Sequence, residues 1–172
     1  MANTDNGAWN ATAFFQQLTN TNKLAANSGF VFCRVSGLDG FEEALARMQK
    51  TKAFVCVSDI SAGNVAINNT PRTRRVKTVF LAMRHRIDDM NARQNCFNTM
   101  REIFRQFMSV LILEKTRLAE EYIFMDDRIT FEEISQFFFS GCACAYFNIT
   151  IDVFTDLRFN ENEWLQSTTL NP

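Results

Sequence analysis

The stretch ACAYFNITIDVFTDLRF, residues 143–159, decides the fold. Its odd positions are Ala143, Ala145, Phe147, Ile149, Ile151, Val153, Thr155, Leu157 and Phe159, whereas Asn148, Thr150, Asp152, Asp156 and Arg158 take even ones. Successive side chains of an extended chain point to opposite faces, so alternation sustained this long predicts a strand with one face on a core and one in water, as in an antiparallel sheet. Just upstream, the small run Ser140-Gly141-Cys142-Ala143-Cys144-Ala145 predicts a place where the strand backbone comes close to the long helix above it.

Further upstream, YIFM (122–125) and ITFEEISQFFF (129–139) are strand candidates around the charged turn Asp126-Asp127-Arg128. Before them, Met90, Phe97, Met100, Phe104, Phe107, Met108 and Leu111 recur at spacings of three and four, with Arg93, Arg101, Glu102 and Arg105 mostly off the stripe. This predicts a long amphipathic helix over residues 88–115, running on toward Glu121 or breaking near Leu113, laid across the odd face of the last strand. AFVCVSDI (53–60) and RRVKTVFLAM (74–83) read as two strands of a hairpin spanning 53–84, separated by the loop SAGNVAINNTPRT. Pro71 has no N–H to give to a ladder, so pairing begins beyond it. Residues 8–50 read as a helix over 8–24 closed by Gly29, a strand FVFCRV (30–35), and a second helix over 40–50 with Phe41, Leu45 and Met48 on one face. Residues 161–172 are a polar tail.

These elements predict a single α+β domain over residues 1–172, with an antiparallel or mixed sheet, the long helix packed on one face and shorter N-terminal helices. A chain of 172 residues, 47% hydrophobic and 22% charged with only two prolines and six glycines, excludes disordered and low-complexity classes. Lys and Arg number 18 against 19 Asp and Glu, so no global field advertises nucleic acid or an acidic membrane. MANTDNGAWNATAFF has neither a basic nor an apolar signal region, and no apolar run approaches a membrane span, so folding is expected in the cytoplasm. The five cysteines, Cys33, Cys56, Cys96, Cys142 and Cys144, are odd in number and mostly in apolar surroundings, and are expected as reduced, buried thiols.

His85 is the only histidine, at a strand end in a basic turn. One imidazole cannot build a histidine metal site, and Cys142-Ala-Cys144 has no second cysteine pair at zinc spacing. The acidic doublets Asp88-Asp89, Glu120-Glu121, Asp126-Asp127 and Glu132-Glu133 sit at element ends, where adjacent side chains diverge. No phosphate loop, nucleophile elbow or zinc-protease motif is present. We therefore expect no catalytic residues, no metal and no cofactor. The candidate site is instead basic: Arg72, Arg74, Arg75 and Lys77 lead into one strand and Arg84 and Arg86 leave it. Alternation puts Arg75 and Lys77 on one face and Arg72, Arg74 and Arg84 on the other. Such a cluster suits phosphate contacts or acidic patches on a neighbouring subunit, and the balanced net charge with its acidic doublets favours the subunit.

AFVCVSDI, NNTPRTRRVKTVFLAM, the helix over 91–113 and ACAYFNITIDVFTDLRF, taken in that order across residues 53–160, resemble the tail-terminator and neck proteins of tailed bacteriophages. The resemblance implies a non-catalytic assembly protein that closes into a ring, commonly six-fold, capping the tail tube and joining it to the head-side connector. Its implied partners are further copies of the chain and other tail or neck proteins, with DNA only passing through the lumen and no membrane. The implied place is the virion, reached after folding in the host cytoplasm. The N-terminal helix–strand–helix fits the pattern less closely and leaves open a related connector or an injection-machine cap. The alternative is an α+β ligand-binding or small enzymatic domain with a cavity between the long helix and the sheet.

Overall fold

The computed structural model describes residues 4–5, 8–59, 61–134 and 141–164. In chain order they form β1 (Thr4–Asp5), β2 (Ala8–Trp9), α1 (Ala11–Thr21), α2 (Lys23–Ser28), β3 (Phe30–Val35), α3 (Gly37–Arg47) and β4 (Ala53–Ser58). There follow β5 (Ala62–Ala66), β6 (Arg72–Arg84), α4 (Met90–Glu120), β7 (Ile123–Met125), β8 (Phe131–Glu133), β9 (Cys142–Phe154) and a short 3-10 turn at Glu161–Glu163.

β6 and β9, 13 residues each, pair antiparallel along their whole length, from Arg72 opposite Phe154 to Arg84 opposite Cys142. They form the spine of a seven-stranded mixed sheet. On the free side of β6, β4 pairs with residues 79–83 and β5 with residues 72–76. On the free side of β9, β8 pairs with residues 145–147 and β7 with residues 151–153. β3 lies outside β4 as the one parallel pairing among the described strands, reached through α3 because a parallel return needs a crossover.

The odd face of β9 carries the main core, as the alternation predicts. Ala143, Ala145, Phe147, Ile149 and Ile151 are buried there with Val79 and Leu81 of β6 and Val55 and Val57 of β4. α4 and α1 cover this face. Phe15 of α1 packs its ring against Phe107 of α4 and Phe147 of β9, with centroids 6.0 and 5.6 Å apart. Polar ties hold the N-terminal layer to α4: Trp9 Nε1 donates to Glu114 Oε1 at 3.0 Å and Asn22 Nδ2 to Gln106 Oε1 at 2.8 Å.

Several expectations need correction. The even face of β9 is not wet throughout: Cys142 and Cys144 are buried in a second core with Phe54, Cys56, Phe80 and Ala82 of the sheet and Phe41 and Ala44 of α3, against which Ile134 and Tyr146 pack. Sequence parity alone cannot show that this part of the face is buried. β9 also ends at Phe154 although the alternation runs on to 159, because β6, its partner, starts only after Pro71. The expected loop over 61–73 contains β5. The N-terminal helix is two, broken at Asn22, whose side chain accepts from the Ala25 N–H and caps α2. α4 runs 31 residues without a break, about 46 Å at helical rise. Its buried stripe includes Ile103 and Leu118, whereas Met90 is exposed and Phe104 and Met108 are half-buried. α3 buries Phe41 and Ala44, and the Leu45 side chain lies outside the described residues, as do residues 135–140 of the expected strand over 129–139 and the tail beyond 164.

Cysteine pairing departs from the expectation of thiols throughout. Cys33 and Cys56 are joined in a disulfide, for the parallel register sets them directly opposite with Cα atoms 4.7 Å apart. Cys96, Cys142 and Cys144 are free and buried, and loss of hydration pushes all three thiols above their ordinary range.

Candidate functional site

The six candidate cations are distributed along β6 and just beyond it, and the strand is long. Arg72 and Arg84 stand at its two ends, about 40 Å apart at an extended rise. The expected parity holds: Arg75 and Lys77 lie opposite Ile151 and Ile149 on the α4 face, while Arg72, Arg74 and Arg84 lie on the other.

Three of the six are tied down within the chain. Arg84 Nε donates to the Thr51 carbonyl at 3.0 Å and Nη2 to the Met48 carbonyl at 3.4 Å, its guanidinium lying over the Phe54 ring. It thus fastens the end of α3, where unpaired carbonyls favour a cation. Lys77 Nζ donates to the Ser58 and Asp59 carbonyls at 3.1 and 2.9 Å, closing the end of β4. Arg74 makes a fork on Asp152, Nε to Oδ1 at 3.0 Å and Nη2 to Oδ2 at 2.9 Å, and reaches Asp126 at 3.3 Å. The hydrogen bonds from Arg74 hold the Asp152 carboxyl below its ordinary value, and its charge and that of Arg72 add to this against a partial burial that works the other way.

The other three face outward. The Arg72 guanidinium lies between the rings of Phe124 and Phe154, 5.0 and 5.1 Å from their centroids, an attraction of cation to ring face. Arg75 is exposed and has no ion-pair partner among the described residues. Arg86 is exposed, 4.0 Å from Asp88, at the far end. The acidic doublets serve local ties: Asp89 caps α4 through the Ala92 N–H at 2.8 Å, Asp127 pairs with Lys115, and Glu133 pairs with Arg101 at 2.6 Å. His85 places Nδ1 2.7 Å from the Arg86 carbonyl and leaves Nε2 buried without a partner among the described residues.

Around the Arg72 end the surface is unusually apolar. Val65 and Ile67 of the β5–β6 hairpin, Phe124 of β7, and Phe154 with the following Leu157 are all exposed, Ile67 by 90%. Beside β7, a groove of about 350 Å³ runs between α4 and residues 125–129, lined by Phe104, Met108, Leu111, Ile112, Met125 and Ile129 and rimmed by Lys115, Asp126 and Asp127. Among the described residues no three His, Cys, Asp or Glu side chains converge as a metal-binding group, and no helix is long and apolar enough to cross a membrane.

Neither a known family model nor a curated protein matches the chain.

The cations and their faces are legible in the sequence, and the groups they meet are not. Asp152 stands at an even position of β9, yet only the β6–β9 register brings it opposite Arg74. No short turn joins those strands, so nothing local could set that register. The alternative reading places a cavity between the long helix and the sheet, and the groove lies there, between α4 and residues 125–129; its particular lining residues have no local signature because they come from both segments.

Proposed function

We propose that this chain is a non-catalytic structural subunit that joins further copies head to tail, in the manner of the ring-forming tail-terminator and neck proteins it resembles. The observation carrying this reading is the concentration of exposed apolar side chains and uncommitted charge at one end of the sheet, around a hairpin whose β5 residues are exposed throughout. Soluble proteins keep large apolar patches for partners. The two sides of that end also differ, with Arg75, which has no ion-pair partner among the described residues, on the hairpin side and the Lys115–Asp127 pair with Asp126 on the groove side, which suits a heterologous contact that closes into a ring. In the virion such a ring would lie between tail tube and head connector, with DNA in its lumen.

Electron microscopy of the purified full-length chain tests this. Closed rings of more than two copies are expected, and only monomers or two-fold dimers at assembly concentrations would count against it. The groove supports a second reading, a ligand-binding α+β domain, since its volume is at the low end of small-molecule sites. A stable monomer that binds an apolar small molecule there would favour that reading.

A further inference from the structure

Four strands share one row across the sheet: Gly63 of β5 lies opposite Arg75 of β6, Arg75 opposite Ile151 of β9, and Ile151 opposite Met125 of β7. The base of the hairpin and the Met125 end of the groove therefore share a level of the sheet, on opposite edges, three strand spacings or about 14 Å apart, whereas Val65 stands two residues nearer the turn and the chain beyond Met125 leads the other way, to Phe131 opposite Phe147. They also share a face. Val65 lies opposite Thr73 on the odd face, with Arg75, and the groove opens beside Met125 on that same face under α4. A hairpin on one edge faces away from its own chain's groove on the other, and a neighbour placed beside it edge to edge, shifted along the strands by about two residues or roughly 7 Å, presents its groove to Val65.

We infer that the hairpin of one copy, through Val65 and Ile67, seats in the groove of the next between Met108, Ile112, Met125 and Ile129. This rests on the reading of the chain as a self-associating subunit and names the two surfaces that meet. The chemistry of the surfaces matches. The hairpin tip is aliphatic and exposed, the groove is apolar, and both would lose water on contact. Arg75, without an ion-pair partner among the described residues, stands on the face of Val65 two residues from its row, while the groove rim carries Asp126 and Asp127 against the one cation Lys115, and Asp127, 86% exposed, is bonded among the described residues only to Lys115. Seating the tip brings these opposite charges together, which sets register and direction. Since each copy carries one tip and one groove on different edges, the contact is heterologous and propagates until it closes.

Two exposed substitutions test this without touching the core. Ile67→Asp spoils the tip, and Ile112→Glu, at a residue 65% exposed, spoils the groove; circular dichroism confirms that both variants fold. In sedimentation velocity the unmodified chain is expected to form species larger than dimers. Each variant alone is expected to associate at least about tenfold more weakly. An equimolar mixture should give dimers and nothing larger, because the sound tip of the groove variant enters the sound groove of the tip variant and both remaining surfaces are spoiled. Variants that assemble like the unmodified chain would overturn this docking while leaving self-association intact. A mixture that stays monomeric although the unmodified chain assembles would also overturn it. An unmodified chain that stays monomeric throughout would overturn both the docking and the reading on which it rests.

Discussion

The two ends of the β6–β9 ladder are made of the same two strands and do opposite things. At the Arg84–Cys142 end both faces are covered, Ala143 and Ala145 buried in the core beneath α4 and Cys142 and Cys144 buried in the second core that Phe41 and Ala44 of α3 help to form. The residues there are small because two layers must approach the backbone at once. At the Arg72–Phe154 end the α4 face buries Ile149 and Ile151 of β9 but leaves Arg75 of β6 exposed, and the other face holds the Arg74–Asp152 fork and Arg72 between two exposed rings, with a Thr78–Asn148 hydrogen bond at mid-ladder. One end therefore stores stability and the other presents a surface. Polar side chains satisfied by one another can stay folded in water while apolar ones beside them remain available for contact.

The sharpest way to break this contrast is to empty the covered side. Phe147 is fully buried at the crossing of α1, α4 and β9, so Phe147→Ala should cost about 3–5 kcal/mol, measured by chemical denaturation. That is a large part of the stability of an ordinary domain. Phe104→Ala, on the same stripe but half-buried beside the groove, should cost clearly less. Equal losses would mean that the two positions are not differently packed.

The next effect lies in the hairpin. A Cβ at Gly63 would stand 2.3 Å from the Arg74 carbonyl oxygen, so Gly63→Ala must push β5 off β6. Faster amide exchange over residues 62–66 is expected, with little change in the melting of the sheet, because β5 is exposed throughout and contributes little to the core. A large loss of global stability would show that the hairpin is part of the core after all.

A smaller effect sharpens the electrostatics of the open end. Asp152 is held below its ordinary value of 3.8, so its pairing with Arg74 contributes stability that is present above that pH and lost as pH falls through the lower folded value. Asp152→Asn should cost about 0.5–1 kcal/mol at neutral pH, because the pair is partly exposed, and the two proteins should converge in acid. A constant difference down to low pH would mean that the loss is one of packing. The smallest effect belongs to Thr150→Ala on the open face, expected within about 0.5 kcal/mol unless a partner covers it. A larger loss in the assembled protein than in the monomer would place that face in a contact.

These contrasts also show what the sequence could and could not convey. The period of two from Ala143 to Val153 and the spacing of Met100, Phe107 and Leu111 are local signals of an element and its buried face, and both match the structure. The second core that joins Cys142 and Cys144 to α3 is a long-range event with no local signature, so the alternation predicts a wholly wet even face where part of it is buried. β5 was hidden because Ala62-Gly63-Asn64-Val65-Ala66 is small and neutral, a composition that signals loop, and becomes strand only by lying against β6. The disulfide was misread because the spacing of Cys33 and Cys56 says nothing until β3 and β4 pair in parallel register. At the candidate site the faces of the cations were legible, and their partners were not. Arg74 and Lys77 are consumed by Asp152 and by the carbonyls ending β4, which leaves Arg72 and Arg75 as the outward charges beside the hairpin.

Hydrogen–deuterium exchange of the full chain at low and high protein concentration tests the division between the two ends most directly. Added protection at high concentration is expected over the β5–β6 hairpin, residues 62–71, and along the groove from Met108 to Ile129, with none in β3 or α3. Added protection confined to β3 and α3, or none anywhere at concentrations where particles larger than monomers are present, would contradict the assignment of one end to stability and the other to contact.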